Sequence, residues 1–156
     1  MTDQVMLQAV LEKLAECEKH ENRMLTAAER LSHRFPLTVE SFGTLDEVDS
    51  SFIDQMVYRF SKLQDTLGEK VFPGILKLGR EEVKGRTFLD VLHRMEELQI
   101  VDSDTWLSLR ELRNEIAHEY SNEVDKTVLA LNIVFGKLSL LADIRRRAAA
   151  FVAERF

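Results

Sequence analysis

The stretch DQVMLQAVLEKLAECEKHENRMLTAAERLS, residues 3–32, decides the fold. Its apolar residues recur at spacings of three and four, which is the period of one face of an α-helix. They are Val5, Met6, Val10, Leu11, Leu14, Met24, Leu25, Ala28 and Leu31. Because the 156-residue chain contains only 6 Gly and 2 Pro, long helices are expected throughout. A long helix with one apolar face needs other helices to cover that face, so a helical bundle is predicted.

The segment that follows, RFPLTVESFGTL at residues 34–45, breaks the helical period. It contains Pro36 and Gly43 and predicts the longest loop of the chain. A second helix then begins near Asp46 or Asp49, since either carboxylate can cap a helix N-terminus.

Gly68 and Pro73 interrupt this second helix, and Pro73 lacks a backbone N–H, so a kink or restart is predicted between them. The polar segment LGREEVKGR, residues 78–86, predicts a connector. Three more helices complete the prediction: a short one over residues 88–98, a fourth over 105–120 after the cap candidates at 102–104, and a fifth from residue 126 towards the C-terminus. The sequence therefore predicts an all-α, antiparallel bundle of four long helices plus a short fifth, in a single domain over residues 1–156.

Composition limits the classes of function. With 45% hydrophobic and 31% charged residues the chain is globular, and a net charge of −6 argues against a generally basic nucleic-acid coat. A catalytic groove can still be locally basic on an acidic body. Cys17 has no partner for an internal disulfide and fits a reducing compartment. Since the start MTDQVMLQAV shows no signal peptide and we expect no membrane span, a soluble cytoplasmic protein is expected.

The fourth helix has three faces at about 100° per residue. One is a core stripe of Leu109, Leu112 and Ile116, and another is a solvated row of Glu111, Glu115 and Glu119. The third arc carries Tyr120, Arg113, Ala117, Arg110, Ser121, Asn114 and His118, with Trp106 and Leu107 one turn earlier. Because a free monomer would expose that tryptophan and leucine, we expect a second copy of the chain to cover the arc.

The residue types on this third arc suit phosphate chemistry. Arg113 has a planar guanidinium that binds phosphate oxygens, and His118 titrates near neutrality and can move protons. Asn114, one turn before His118, can orient it or bind substrate. An arginine and a histidine on a helix surface are more often solvated or ion-paired, so the pattern alone favours that plainer interpretation. The remaining histidines are scattered, and no metal or cofactor is expected.

The motif RNEIAHEY, residues 113–120, resembles the signature of HEPN-domain proteins, in which an arginine and a polar residue precede a histidine. Arg113, Asn114 and His118 match it, with four residues between the arginine and the histidine. The ending His118-Glu119-Tyr120 is similar to the HepT toxin branch of that family. The expected helix count and lengths fit the family over nearly the whole chain.

The resemblance implies a metal-independent RNA endonuclease that acts as a homodimer, with one composite cleft between the motif helices of two subunits. Its partner would be a minimal nucleotidyltransferase (MNT) antitoxin. His118 would act as general base or acid when a ribose 2′-OH attacks the adjacent phosphate, and Arg113 would stabilise the phosphorane. Asn114 would position the histidine or the phosphate. Tyr120, which lies about 20° from Arg113 around the helix, would be the residue that the antitoxin modifies with AMP.

Several alternatives stay open at this point. Arg110 adds phosphate affinity or forms an ion pair with Glu111 or Glu115. The run Arg145, Arg146 and Arg147 is more typical of a solvated helix end than of an RNA track. The whole chain is alternatively a non-catalytic nucleotidyltransferase-partner or nucleotide-binding helical subunit, which the acidic net charge favours, or a bundle with no ligand. The intact motif disfavours the first alternative, and Trp106 and Leu107 on the third arc count against the second.

Overall fold

The computed structural model describes residues 3–117 and 123–156, and helices dominate this part of the chain. Seven α-helices and one π-helical turn lie within it. They are α1 (Asp3–Leu31), α2 (Val39–Gly43), α3 (Glu47–Thr66), a π-helical turn (Leu67–Val71), α4 (Phe72–Leu78), α5 (Phe88–Glu97), α6 (Ser103–Ala117) and α7 (Val124–Arg155). No strand occurs among the described residues. The predicted all-α class is confirmed.

The first two long helices run antiparallel, and side-chain pairs at both ends show it. At the end of α1, Arg34 Nε donates to Asp49 near the start of α3 over 2.8 Å. At the opposite end, Arg80 beyond α4 donates to Asp3 at the start of α1, also over 2.8 Å. Of the apolar face predicted for α1, Val10, Leu14, Met24 and Leu31 are buried, and α1 packs chiefly on α3. Val5 and Leu11 are instead exposed, so the prediction is wrong for these two residues.

Helices α6 and α7 complete the bundle, and they run antiparallel to α3 and α1, respectively. Arg113, late in α6, reaches Asp65, late in α3, while Trp106 early in α6 lies beside Gly68 beyond the end of α3. Likewise α7 runs antiparallel to α1, because its Asn132 side chain lies beyond the C-terminal end of α1 and its later residues lie against the middle of α1. The antiparallel bundle of four long helices with α5 as a short fifth follows from these contacts, with α3, the π-helical turn and α4 forming one long unit.

The predicted interruption near Gly68 and Pro73 is a π-helical turn that leads directly into α4, so the chain bulges without leaving the helix. Pro73 sits in the first turn of α4, where a missing N–H costs little. A Cβ on Gly68 would lie 3.1 Å from Trp106 Cζ2. Glycine therefore lets the indole pack against the backbone of the turn, where Phe72 meets it edge-on with ring centroids 4.9 Å apart.

The predicted long loop contains a short helix, α2, which the sequence prediction missed. Thr38 and Ser41 form a reciprocal capping box at its N-terminus, each side chain accepting from the other's backbone N–H. The Asn132 amide bridges the Leu37 backbone, accepting from its N–H at 2.7 Å and donating to its carbonyl at 2.9 Å. A residue far along the chain thus holds the loop. The cap of α3 is Asp46, whose carboxylate accepts from the Asp49 N–H at 2.8 Å.

The helix α7 is long and apolar enough to cross a membrane by length and composition alone, contrary to the expectation of no such stretch. Within the fold, 44% of its most apolar window is buried against the other helices. Since core helices of soluble proteins pass the same test, this finding is weak evidence for a membrane and decides nothing about location.

The arginine run in α7 is not a uniformly solvated helix end. Arg145 Nε donates to Glu21 Oε1 of α1 over 2.9 Å, and the two side chains are only 13% and 5% exposed. Arg146 lies 3.8 Å from the same carboxylate, whereas Arg147 pairs with Asp143 on the surface at 3.0 Å. The expected solvation is therefore wrong for Arg145, whose side chain is committed to the α1–α7 interface.

We predict that Glu21→Gln lowers the free energy of unfolding by about 3–5 kcal/mol, because it leaves the buried Arg145 charge without its counter-charge. Urea denaturation measures the difference. Asp143→Asn in the same helix removes an exposed pair and is the matched control, with an expected loss of at most about 0.5 kcal/mol. Equal effects of the two substitutions would contradict the assignment of a buried, structural pair.

Candidate functional site

The most specific contact in the motif region joins α6 to α3. Arg113 donates from Nε to Asp65 Oδ1 at 3.1 Å and from Nη2 to Asp65 Oδ2 at 2.8 Å. This two-point contact fixes the plane of the guanidinium, and the hydrogen bonds to Asp65 raise the pKa of Arg113. Both side chains are partly exposed, at 25% for Arg113 and 21% for Asp65. The guanidinium is thus a fixed cation at the surface of the fold, with its Nη1 donors not used by Asp65.

A second arginine approaches the same carboxylate. Arg110 Nη1 lies 3.9 Å from Asp65 Oδ1, so two arginines from successive turns of α6 share one aspartate of α3. The ion pair expected for Arg110 within its own helix, to Glu111 or Glu115, is replaced by this one. The cluster consists of two arginines around one aspartate. The negative charge of Glu69, in the π-helical turn, further raises the pKa of Arg113.

Of the other residues predicted for the site, some lie within the described part of the chain and some lie outside it. Asn114 is exposed on α6, one residue beyond the Arg113 contact. The solvated face of Glu111 and Glu115 is confirmed by their exposure, and the core stripe by the burial of Leu109, Leu112 and Ile116. The predicted catalytic His118, the predicted modification site Tyr120, and Ser121 and Glu119 lie outside the described residues. Among the described residues, the structure therefore brings Arg110 and Arg113 together at Asp65 and leaves Asn114 exposed on the same helix.

Trp106 corrects one argument for a dimer. Its side chain is completely buried within the single chain, because the π-helical turn and Phe72 cover it. A helical wheel gives the direction in which a side chain points but not which neighbouring helix it contacts. Part of the third arc, which the sequence predicts to face a partner subunit, packs on α3 instead. Leu107 is 44% exposed, as expected for a monomer.

Asp65 is the site residue that the sequence analysis missed. It lies 48 positions before Arg113, in another helix. In the sequence it is one polar residue in the segment SKLQDTLGEK, and no local pattern distinguishes it from the solvated carboxylates around it. The only usable signal is its place three residues before Gly68, in the π-helical turn against which Trp106 of α6 packs.

A separate, half-open groove of about 310 Å³ lies between α6 and α7. Leu109, Leu112 and Ile133 give it an apolar floor, and Asp104 and Lys137 lie at its edge. It uses the core side of α6 rather than the side that carries Arg113. The groove and the arginine cluster are therefore different surfaces of the same helix.

Neither the described side chains around the cluster nor known proteins supply a cofactor or a family for it. Among the described residues, no group of three or more His, Cys, Asp or Glu side chains is arranged to hold a metal ion. Comparison of the chain with protein-family models, with curated proteins and with solved structures finds no match. The class of protein that the fold defines is an all-α helical bundle, and its function is argued from the residues of the site.

We predict that Trp106, the single tryptophan, is shielded from solvent in the monomer as well as in any assembly. Acrylamide should quench its fluorescence weakly, and its emission should be blue-shifted relative to the unfolded chain. A dilution series followed by light scattering and fluorescence together provides the measurement. A tryptophan that becomes strongly quenched as the chain dissociates would mean that a partner, rather than α3 and α4, covers it.

Proposed function

We propose that the protein is a HepT-like toxin, a metal-independent RNA endonuclease with an Arg-Asn…His site at a homodimer interface. The observation that carries the proposal is the fixed guanidinium of Arg113. An arginine that only fills a surface needs no two-point anchor on another helix, whereas an arginine that meets a phosphate gains from having its orientation set beforehand. The motif RNEIAHEY supplies the histidine, at His118, and the asparagine beside the arginine.

The chemistry proposed is transfer within the RNA backbone. His118 takes the proton of a ribose 2′-OH, whose oxygen attacks the adjacent phosphorus. The bond from phosphorus to the 5′ oxygen then breaks, and that oxygen takes a proton from an acid, which a second His118 across the dimer axis supplies. The products are a 2′,3′-cyclic phosphate and a 5′-hydroxyl. No water or metal ion enters this step.

Arg113 would stabilise the negative charge that builds up on the phosphorane oxygens. Two of its N–H groups are engaged by Asp65, and the guanidinium retains three of its five donors for phosphate. Asn114 would position His118 or the phosphate, and Arg110 would add affinity for a neighbouring phosphate.

A homodimer is part of the proposal because one chain provides one copy of the motif. Exposed Leu107 beside the arginine cluster gives α6 an apolar residue for the contact. The buried Trp106 does not support the dimer. We further propose a cytoplasmic location, with an MNT-type nucleotidyltransferase as the antitoxin.

A second candidate function is a non-catalytic nucleotidyltransferase-partner or nucleotide-binding subunit. The observation in its favour is the net charge of −6, because an acidic chain is a poor general binder of RNA. The two functions differ in whether the purified protein cleaves RNA, and the following experiment separates them.

We predict that the purified protein cleaves single-stranded RNA in the presence of EDTA and leaves 2′,3′-cyclic phosphate ends. Arg113→Ala and His118→Ala should each lower the rate by about 10²–10⁴-fold, the usual cost of losing a general acid–base or a charge-stabilising group. Gel analysis of labelled RNA measures the rate, and the chemistry of the ends identifies the reaction.

The matched controls are His93→Ala and Arg80→Ala, which remove an exposed histidine and an exposed arginine elsewhere on the surface. Both should keep the wild-type rate. Full cleavage by the His118→Ala protein, or strict dependence on a divalent ion, would remove the proposed mechanism. Absence of cleavage by the wild type would favour the non-catalytic subunit.

We predict that Tyr120 is the residue that the antitoxin modifies. Its phenol oxygen would attack the α-phosphate of ATP, forming a phosphodiester to AMP and releasing pyrophosphate, while the phenol proton passes to a base. The bulk and negative charge would then block RNA beside Arg113. Intact-mass measurement after co-expression with an MNT-type nucleotidyltransferase should show one AMP per chain.

The chain offers a matched control, because it has only two tyrosines, Tyr58 and Tyr120. Tyr120→Phe should abolish the mass increase and Tyr58→Phe should leave it unchanged. An inactive complex in which Tyr120 is unmodified would mean that the antitoxin inhibits by covering the site.

A further inference from the structure

Helix α3 carries an exposed aromatic ring, outside the motif helix, over which two cations lie in cation–π contact. Tyr58 is 47% exposed. The guanidinium carbon of Arg59 lies 5.3 Å from the centre of its ring, and the ammonium nitrogen of Lys62 lies 5.7 Å from it. None of these residues belongs to the RNEIAHEY motif or to the arginine cluster described above.

The first of the two cations, Arg59, is hydrogen-bonded to a buried histidine of α1. Arg59 Nη1 donates to His20 Nδ1 of α1 at 2.9 Å, so His20 accepts at this nitrogen and carries its proton on Nε2. Burial, followed by the field of Arg59, lowers the pKa of His20. The histidine is therefore a neutral support near pH 7, and Arg59 has a fixed position without losing its charge to a carboxylate.

The second cation is free to meet an anion. Lys62 is exposed, and no carboxylate of the described chain forms an ion pair with it. On α1, the carboxylate of Glu16 is paired with Lys13 at 3.1 Å and lies 3.8 Å from Nε2 of His20. Arg59 and Lys62 thus place two positive charges at the Tyr58 ring, on a chain whose net charge is −6.

Tyr58 and Lys62 lie on the same face of α3 as Asp65, the aspartate that contacts Arg113. Tyr58, Lys62 and Asp65 follow one another at helical spacings of four and three, so they lie along one face of α3. From Tyr58 to Asp65 the helix rises about 10 Å, which is about three nucleotides of a stacked strand. Asp65 is the residue that anchors Arg113, so the face leads from the exposed ring to the guanidinium.

We propose that Tyr58, Arg59 and Lys62 form a binding subsite for single-stranded RNA, in which a base stacks on Tyr58 and the flanking phosphates meet the two cations. The subsite lies a few nucleotides away from the phosphate at Arg113, and the inference rests on the proposed ribonuclease function. Aromatic side chains that stack bases, combined with cations that follow the backbone, are the usual means by which proteins hold single strands without reading their sequence. A duplex hides its base faces and would gain nothing from the ring.

Fluorescence anisotropy with a labelled, fully 2′-O-methylated single-stranded RNA measures binding without cleavage, because the attacking hydroxyl is absent. Tyr58→Ala should weaken binding by about 5- to 150-fold, the effect typical of losing one stacked base. Tyr58→Phe keeps the ring and should stay within about twofold of the wild type. Lys62→Gln should weaken binding and lower the slope of log affinity against log salt concentration by about 0.7, the value for one phosphate contact on a single strand.

Two variants elsewhere on the surface serve as matched controls. Phe156 is 46% exposed, almost the same as Tyr58, and Phe156→Ala should leave the affinity unchanged. Lys84→Gln removes an equivalent exposed charge from the connector before α5 and should leave the salt dependence unchanged. An oligomer of the same charge but without bases separates stacking from electrostatics, because Tyr58→Ala and the wild type should bind it equally.

The outcomes separate this inference from the function on which it rests. If the wild type binds no single-stranded RNA, both the subsite and the proposed ribonuclease function are wrong. If the wild type binds and Tyr58→Ala binds equally well, the subsite alone is overturned. Equal loss by Tyr58→Ala on the normal and the base-free oligomer also overturns it, since the effect would then not come from stacking.

Discussion

The position of Trp106 against the π-helical turn is the constraint on which the rest of the motif region depends. Gly68 has no side chain, so the indole lies directly on the backbone, and Phe72 closes the other side. This contact sets the height of α6 along α3. Two turns later the same register places Arg113 opposite Asp65, close enough for a two-point contact. The apolar packing of Trp106 therefore determines the geometry of the charged cluster.

Burial decides what each arginine does in this protein. Arg145 is almost enclosed with Glu21, where an unpaired charge would be costly, and it holds α7 against α1. Arg147 pairs with Asp143 in water, where such a pair contributes little. Arg113 lies between these extremes. It is partly exposed, with one edge of its guanidinium on Asp65.

The acidic net charge and the proposed RNA site are compatible because the charges are segregated. Glu111 and Glu115 occupy a solvated face of α6, while Arg110 and Arg113 project towards α3. Along α3 the positive charge continues at Arg59 and Lys62 beside Tyr58. A strand that follows this face would pass Arg59, Lys62 and Arg113, and the net charge of −6 would disfavour unspecific binding of nucleic acid elsewhere on the chain.

The sequence by itself determined the long helices, because apolar spacing, caps and breakers are local, but it did not reveal the short α2. The long first helix, the core stripe of α6 and the start of α3 near Asp46 could all be predicted from neighbours a few residues apart. Only the tertiary structure decided which helices meet. The coverage of Trp106 by α3 and α4, the pairing of Asp65 with Arg113 over 48 positions, and the pairing of Arg145 with Glu21 over 124 positions depend on helix register. No local period encodes register; it follows from how the buried side chains of different helices pack together.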